Sequence, residues 1–256
     1  MPATPAWPPK STPRLFIDTD LAEGRDVPVA GGAANYLISV MRMKVGDPVK
    51  LFDDRNGEYL ATVSAIGKRD LVLSINGRLR AREEVPDLWL CAAPIKRARF
   101  DWMAEKACEL GVRRFVPVLT ARAVVDKVKD DRLRSHMIEA AEQCERTAVP
   151  ELADLVKLEA MLKDWPEDRT LFFCDERVHE SGGGSFRKAL VDHAGPGAIL
   201  IGPEGGFTDT ENDAIRALPQ AVPVSLGPRI LRADTAAVAA ISLWMAGRGD
   251  WTAPSR

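Results

Sequence analysis

The chain has 256 residues, 46% of them hydrophobic and 28% charged, with a formal net charge of -2. This is the composition of a folded globular protein of one large domain or two smaller ones, and it excludes wholesale disorder. No apolar run reaches the length of a bilayer span; the longest weakly polar stretch, Ala236 to Ala246, reads as a buried helix, so no membrane partner is expected.

Residues 1–13 are rich in proline and lack the apolar core of a secretory signal, so they read as a flexible leader and the cytoplasm as the compartment. From Arg14 to Arg80 the pattern is strand-like: Arg14 to Phe16, Pro48 to Phe52, Tyr59 to Val63 and Leu71 to Ile75, broken at Gly46-Asp47, at 53–57 and at Gly67. Asn56-Gly57 between two apolar alternations signals a hairpin. Only Ala33 to Met43 looks helical, which predicts a small barrel of about five or six strands over residues 14–82.

The polar, proline-containing stretch 81–87 reads as a domain boundary, and apolar runs alternating with helical periods follow over residues 83–256. That alternation predicts an α/β domain with a parallel sheet covered by helices. In Arg99 to Leu110, Phe100, Met103, Ala104, Ala107 and Leu110 share one face and Gly111 supplies the stop. In Asp131 to Arg146 the inner stripe is Leu133, Met137, Ala140, Ala141 and Cys144, which leaves Glu139, Gln143 and Arg146 for a cleft or solvent.

Cys91, Cys108, Cys144 and Cys174 form no C-x-x-C pair and read as buried, reduced thiols. His136, His179 and His193 have no metal-ligand spacing, so no metal is expected. Residues 1–80 carry 11 basic and 9 acidic side chains, residues 96–146 carry 12 and 9, and residues 147–256 carry 11 and 16. The first two stretches therefore suit a polyanion held through Lys and Arg.

Two segments carry the chemistry. Ala198 to Thr208 is a buried strand ending in Gly202, Gly205 and Gly206 that runs into a helix, with Thr208 and Glu211 as a capping box. Glycines at a strand end let a ligand approach where no Cβ stands. Val224 to Thr235 repeats the grammar: a short strand, Gly227-Pro228, then a loop feeding an alanine-rich helix with Asp234 as its N-cap. Two such turns would flank one crevice at the carboxyl edge of a parallel sheet.

These segments, Gly202-Pro-Glu-Gly-Gly-Phe207 and Leu226-Gly-Pro-Arg-Ile-Leu-Arg232 with Thr235-Ala, resemble the signature of the RsmE family, which methylates N3 of a uridine in 16S ribosomal RNA of the small subunit. The resemblance extends over nearly the whole chain, through Gly46-Asp47, Phe52-Asp53, Gly57-Glu58-Tyr59, Lys96, Lys106-Ala107, Glu109 to Val112, Glu142-Gln143 and Arg146. It implies a PUA-like RNA-binding β-barrel followed by a SPOUT-type, trefoil-knotted parallel sheet with helices on both faces. It further implies S-adenosylmethionine as cofactor and a homodimer.

By the same resemblance, loops after Phe173, Ile201 and Leu226 would enclose the cofactor with Cys174, Gly202, Pro203, Glu204, Gly205, Gly206, Ser225, Leu226, Gly227, Ile230, Leu231, Arg232 and Thr235. Removing the N3 proton of uracil leaves negative charge on O2 and O4, which a fixed guanidinium stabilises. Arg232 is the first candidate for that role and Arg146 the second; Glu204 or Asp234 would accept the proton. Arg14, Arg42, Lys96 and Arg122 are the candidates for RNA phosphate contact. Two rivals stay open: a knotted methyltransferase acting on a ribose 2'-hydroxyl or transfer RNA, and a non-catalytic ribosome-assembly factor.

Overall fold

The computed structural model describes residues 12–125, 127–174 and 184–252, so His179 and most of the 1–13 leader lie outside the described residues. The chain divides into two units, residues 1–84 with 141–148 and residues 85–140 with 149–256.

In the first unit β1 (Arg14–Phe16), β2 (Asp26–Ala30), β3 (Pro48–Phe52), β4 (Glu58–Ile66) and β5 (Asp70–Arg80) form one sheet in the order β1-β3-β4-β5-β2. Period-2 alternation turns Val49 and Leu51 of β3, and Leu71, Leu73 and Ile75 of β5, into a shared core. Leu37 joins it from the helical segment, where α1 (Gly31–Asn35) passes into a π-helical turn over Tyr36–Val40.

The hairpin expected at Asn56-Gly57 is built around residues 53–57 rather than as a two-residue turn. Asp53, 1% exposed, organises it by accepting the N–H groups of Leu21 at 2.9 Å, Arg55 at 3.0 Å and Asn56 at 2.7 Å. Burial raises the Asp53 carboxyl, but these bonds outweigh it and hold the group below its ordinary value. Gly57, at φ 103°, is required because a Cβ would meet the Arg80 carbonyl oxygen at 2.3 Å.

In the second unit β6 (Leu88–Ala92), β7 (Arg114–Leu119), β8 (Glu151–Leu152), β9 (Val156–Lys157), β10 (Thr170–Cys174), β11 (Gly197–Ile201) and β12 (Ala221–Val224) make a 7-stranded sheet. The order is β12-β10-β11-β6-β7-β8, with β9 also on β7, and every pair is parallel. Helices α2 (Arg97–Glu109), α3 (Asp130–Gln143), α4 (Leu158–Lys163), α5 (Phe186–Asp192), α6 (Asp209–Ala217) and α7 (Ala233–Arg248) accompany it. The last residues of α3, 141–143, count with the first unit.

All of β11 is buried, as a strand covered on both faces must be. Ala198 and Leu200 point to one side with Met161 of α4 and Ile215 of α6. Phe172 of β10 points to the other, its ring 5.1 Å from that of Phe186 in α5. On that side α7 buries Ala233, Ala236, Ala237, Ala240, Ile241, Trp244 and Met245, the spacing of one helical face. Gly197 lets α7 come close: a Cβ there would stand 2.6 Å from the Trp244 indole nitrogen.

Helix α2 buries Phe100, Met103, Ala104 and Ala107 as expected, but Cys108 joins them while Leu110, at the C-cap, is only half-buried; Gly111 at φ 92° ends the helix as expected. The four cysteines are free thiols, but only Cys91 and Cys108 are fully buried; Cys144 and Cys174, at a helix end and a strand end, are half-buried. Among the described residues no helix is long and apolar enough to cross a membrane, and no group of three or more His, Cys, Asp or Glu is placed to hold a metal ion.

Candidate active site

Because the strands of the second unit run parallel, their C-terminal ends share one edge. The register sets Ile201 of β11 beside Ala92 of β6, and Cys174 of β10 beside Val224 of β12. The turns after β6, β11 and β12 therefore leave the sheet together, and β6 leads directly into α2. The loop after Cys174, residues 175–183, lies outside the described residues.

Arg99, in the first turn of α2, links two of these turns. Its Nη1 stands 3.6 Å from Glu204 Oε1 and 3.9 Å from Asp234 Oδ2. One guanidinium thus tethers the glycine turn after β11 to the helix start that follows β12. Nothing in the sequence singles out Arg99, which lies off the apolar stripe of α2 and takes its partners from distant segments.

The turn after β7 is joined to the same place. Arg122 Nη1 donates to the Gly205 carbonyl at 2.8 Å, and the Ala121 N–H donates to Glu211 Oε1 at 2.7 Å. The other oxygen of Glu211 accepts from the Thr208 N–H at 2.9 Å while Thr208 Oγ1 accepts from the Glu211 N–H at 3.2 Å, so the expected capping box is complete. It anchors α6 directly behind the glycine turn.

The glycines divide by purpose. Gly202 was expected to leave room for a ligand, but its side-chain space is taken: a Cβ would lie 2.9 Å from the Phe207 ring. Gly206 adopts φ 67° to make the turn. Gly227 adopts φ 112° and faces open space, with nothing within 4 Å of where a Cβ would stand. Ser225 fixes that second turn, its Oγ accepting the Gly227 N–H at 3.2 Å.

Of the residues expected at the cofactor, Phe173, Ile201 and Pro203 are buried, and Cys174, Gly202, Ser225, Leu226 and Leu231 are half-buried. Glu204, Gly205, Arg232 and Thr235 are exposed, and Ile230 is 86% exposed, an apolar side chain standing open beside the turn. Burial pushes the fully buried Cys91 thiol up to about 12.

Asp234 is not the N-cap. Arg232 occupies that position, with no capping bond from its side chain, and Asp234 sits in the first turn of α7, accepting the Thr235 N–H at 2.9 Å. It still places an anion at the positive end of a helix.

Two arginines fall elsewhere. Arg14, expected at a phosphate, has a side chain only 6% exposed; its Nε donates to Glu58 Oε1 at 2.5 Å, its two Nη atoms reach the carbonyls of Ala141 and Arg146, and its guanidinium lies over the Phe52 ring. Arg146, expected at a cleft or solvent, is 7% exposed within the first unit, with its Nε 3.3 Å from Glu83 Oε1. Glu83 also accepts the N–H groups of Thr147 and Ala148, which fixes residues 146–148. A lone charge in a sequence carries no mark of such pairing. Arg42 and Lys96 are exposed, Arg42 at φ 55° and Lys96 as the N-cap of α2.

Known proteins share this fold. Residues 82–245 match the RNA methyltransferase domain and residues 29–76 the RNA methyltransferase PUA domain. The ribosomal RNA small subunit methyltransferase E of Rickettsia conorii is 31% identical over 90% of this chain and 93% of its own. The crystal structure of the enzyme of that name from Neisseria gonorrhoeae, bound to S-adenosyl methionine, superposes with a TM-score of 0.85 at 25% identity, covering 94% of this chain and 100% of that one. A Legionella pneumophila protein in complex with bound SAM gives 0.81 at 30% identity, covering 92% and 97%.

Proposed function

This chain belongs to the family of the ribosomal RNA small subunit methyltransferases E, and on that premise we propose that it transfers a methyl group from S-adenosylmethionine to N3 of a uridine in 16S ribosomal RNA. The observation that supports the reading is the Arg99 bridge, whose guanidinium stands beside Glu204 of the Gly202 turn and Asp234 at the start of α7, at the carboxyl edge of the sheet.

The residues there suit the cofactor. Gly227 offers a cradle with no side chain in it, Ile230 and Leu226 offer apolar surface, and Glu204 and Asp234 place negative charge where a cationic donor would sit. Bound S-adenosylmethionine supplies an electrophilic methyl on a sulfonium. The protein's own task is to orient the uracil in line and make N3 nucleophilic. Arg232, exposed at the N-cap of α7, stabilises the anion developing on O2 and O4. Asp234 and Glu204 are the carboxylates placed to take the N3 proton, each beside Arg99. Arg146, held by Glu83, acts as a positioning residue for the 146–148 segment.

The N-terminal unit grips RNA through exposed cations such as Arg42, and Lys96 and Arg122 offer cations on the second unit. The trefoil knot implied by the resemblance belongs to this proposal, supported by β10 lying between β11 and β12. So does a homodimer, for which exposed Leu243 and Trp251 near the chain's end provide apolar surface, and so does a cytoplasmic location, where ribosomal RNA is found. Mass spectrometry of 16S ribosomal RNA nucleosides from a strain lacking the gene tests the reading: 3-methyluridine should vanish, and its persistence would contradict the assignment.

A further inference from the structure

A separate cavity of about 160 Å³ opens between the start of α2, the start of α3 and the segment that joins β7 to α3. Neither Arg232, Glu204 nor Asp234 lines it, so it is distinct from the hollow at the glycine turns. Ile95, Phe100, Val128 and Leu133 make its apolar wall.

Cations surround this apolar interior. Arg97, Lys127 and Lys129 are exposed on its lining, and no ion pair among the described residues involves any of the three. A fourth cation, Arg132, pairs with the buried carboxylate of Asp101, and this pair presents a donor and an acceptor at the wall. Helix α2 begins here without a side-chain cap, so its positive end adds to the field. An apolar slot with hydrogen-bonding groups inside and unpaired cations outside matches one ligand chemistry, a flat heterocycle joined to a phosphate. The size suits a pyrimidine, since a cavity of roughly 150 Å³ admits a single six-membered ring.

Resting on the RNA methyltransferase reading above, we infer that this cavity receives an extruded pyrimidine nucleotide of the RNA substrate, other than the one methylated, with its phosphate on Arg97, Lys127 and Lys129. The site would act in substrate selection, holding the strand by a second base while the target is presented to the glycine turns.

Photo-crosslinking of the full chain to a small-subunit RNA fragment carrying 4-thiouridine tests this, alongside methyl-transfer kinetics. Expected are crosslinks to residues 94–101 or 125–133 that weaken in Val128→Trp, which fills the slot, and in Lys127→Ala with Lys129→Ala. Both variants should raise the KM for RNA roughly tenfold with kcat held within about twofold, and S-adenosylmethionine binding should be unchanged. Crosslinks confined to other segments, with wild-type KM in both variants, overturn the inference while leaving the methyltransferase reading intact. Saturation of the cavity by free UMP with no RNA crosslink there overturns it too, in favour of a free nucleotide. A wild-type protein that transfers no methyl group sinks the underlying reading instead, and the crosslink map still decides the cavity.

Discussion

Arg99 Nη1 lies 3.6 Å from Glu204 Oε1, and the same nitrogen lies 3.9 Å from Asp234, so the carboxylates of two strand-end segments share one cation. Each pair alone would rank as a weak surface contact, because Arg99 and Glu204 are about a third exposed. Shared, the guanidinium stands between the two turns proposed to hold the cofactor.

Arg99→Ala should therefore loosen the hollow more than it destabilises the fold. Calorimetric titration with S-adenosylmethionine should show affinity weaker by about tenfold, ~1.4 kcal/mol, with little change in melting temperature. Unchanged affinity would reduce the bridge to a surface ion pair.

Arg232→Ala removes the guanidinium assigned to the uracil anion. Turnover on 30S subunits from the deletion strain should drop at least tenfold, roughly 1.4 kcal/mol of barrier, with cofactor affinity preserved. A smaller fall would pass the role to another group.

Glu58 should make the first unit sensitive to acid. Burial raises its carboxyl, but the bonds from Arg14 Nε at 2.5 Å and Arg80 Nε at 3.0 Å outweigh that and hold it below its ordinary value. With the folded value depressed, its contribution is complete above the ordinary carboxylate range and disappears as pH falls through the folded value. Glu58→Gln should cost about 3 kcal/mol at neutral pH by leaving Arg14 buried without its counter-charge. It should also flatten the dependence of stability on pH below about pH 4.3. Parallel wild-type and variant profiles in denaturant titrations across that range would rule this out.

Gly202→Ala should strain the glycine turn, since its Cβ would press on the Phe207 ring at 2.9 Å. Thermal unfolding should report a loss of about 1–3 kcal/mol. Adding Phe207→Leu should recover part of that loss; a double variant no better than the single one would mean the ring is not the obstacle.

Local grammar made much of this legible. The Thr208–Glu211 capping box, the Gly111 stop and the buried stripe of α2 from Phe100 to Ala107 depend on residues a few positions apart, and stand in the structure as the pattern implied. Strand and helix alternation likewise foretold the parallel sheet. Long-range pairings left no such trace. Arg14, expected at an RNA phosphate, and Arg146, expected as a second guanidinium for the uracil anion, are buried internal partners of Glu58 and Glu83, whereas Arg99, unmarked by any motif, stands between Glu204 and Asp234. Gly202 illustrates the same limit: a strand-end glycine signals close approach, but only the fold reveals that Phe207 makes it.

A crystal structure of the protein soaked with S-adenosylmethionine addresses the two-turn hollow most directly. The ligand should contact both Gly202–Gly206 and Leu226–Arg232 in every bound copy. Density for the ligand at only one of these turns, or away from both, would contradict the account.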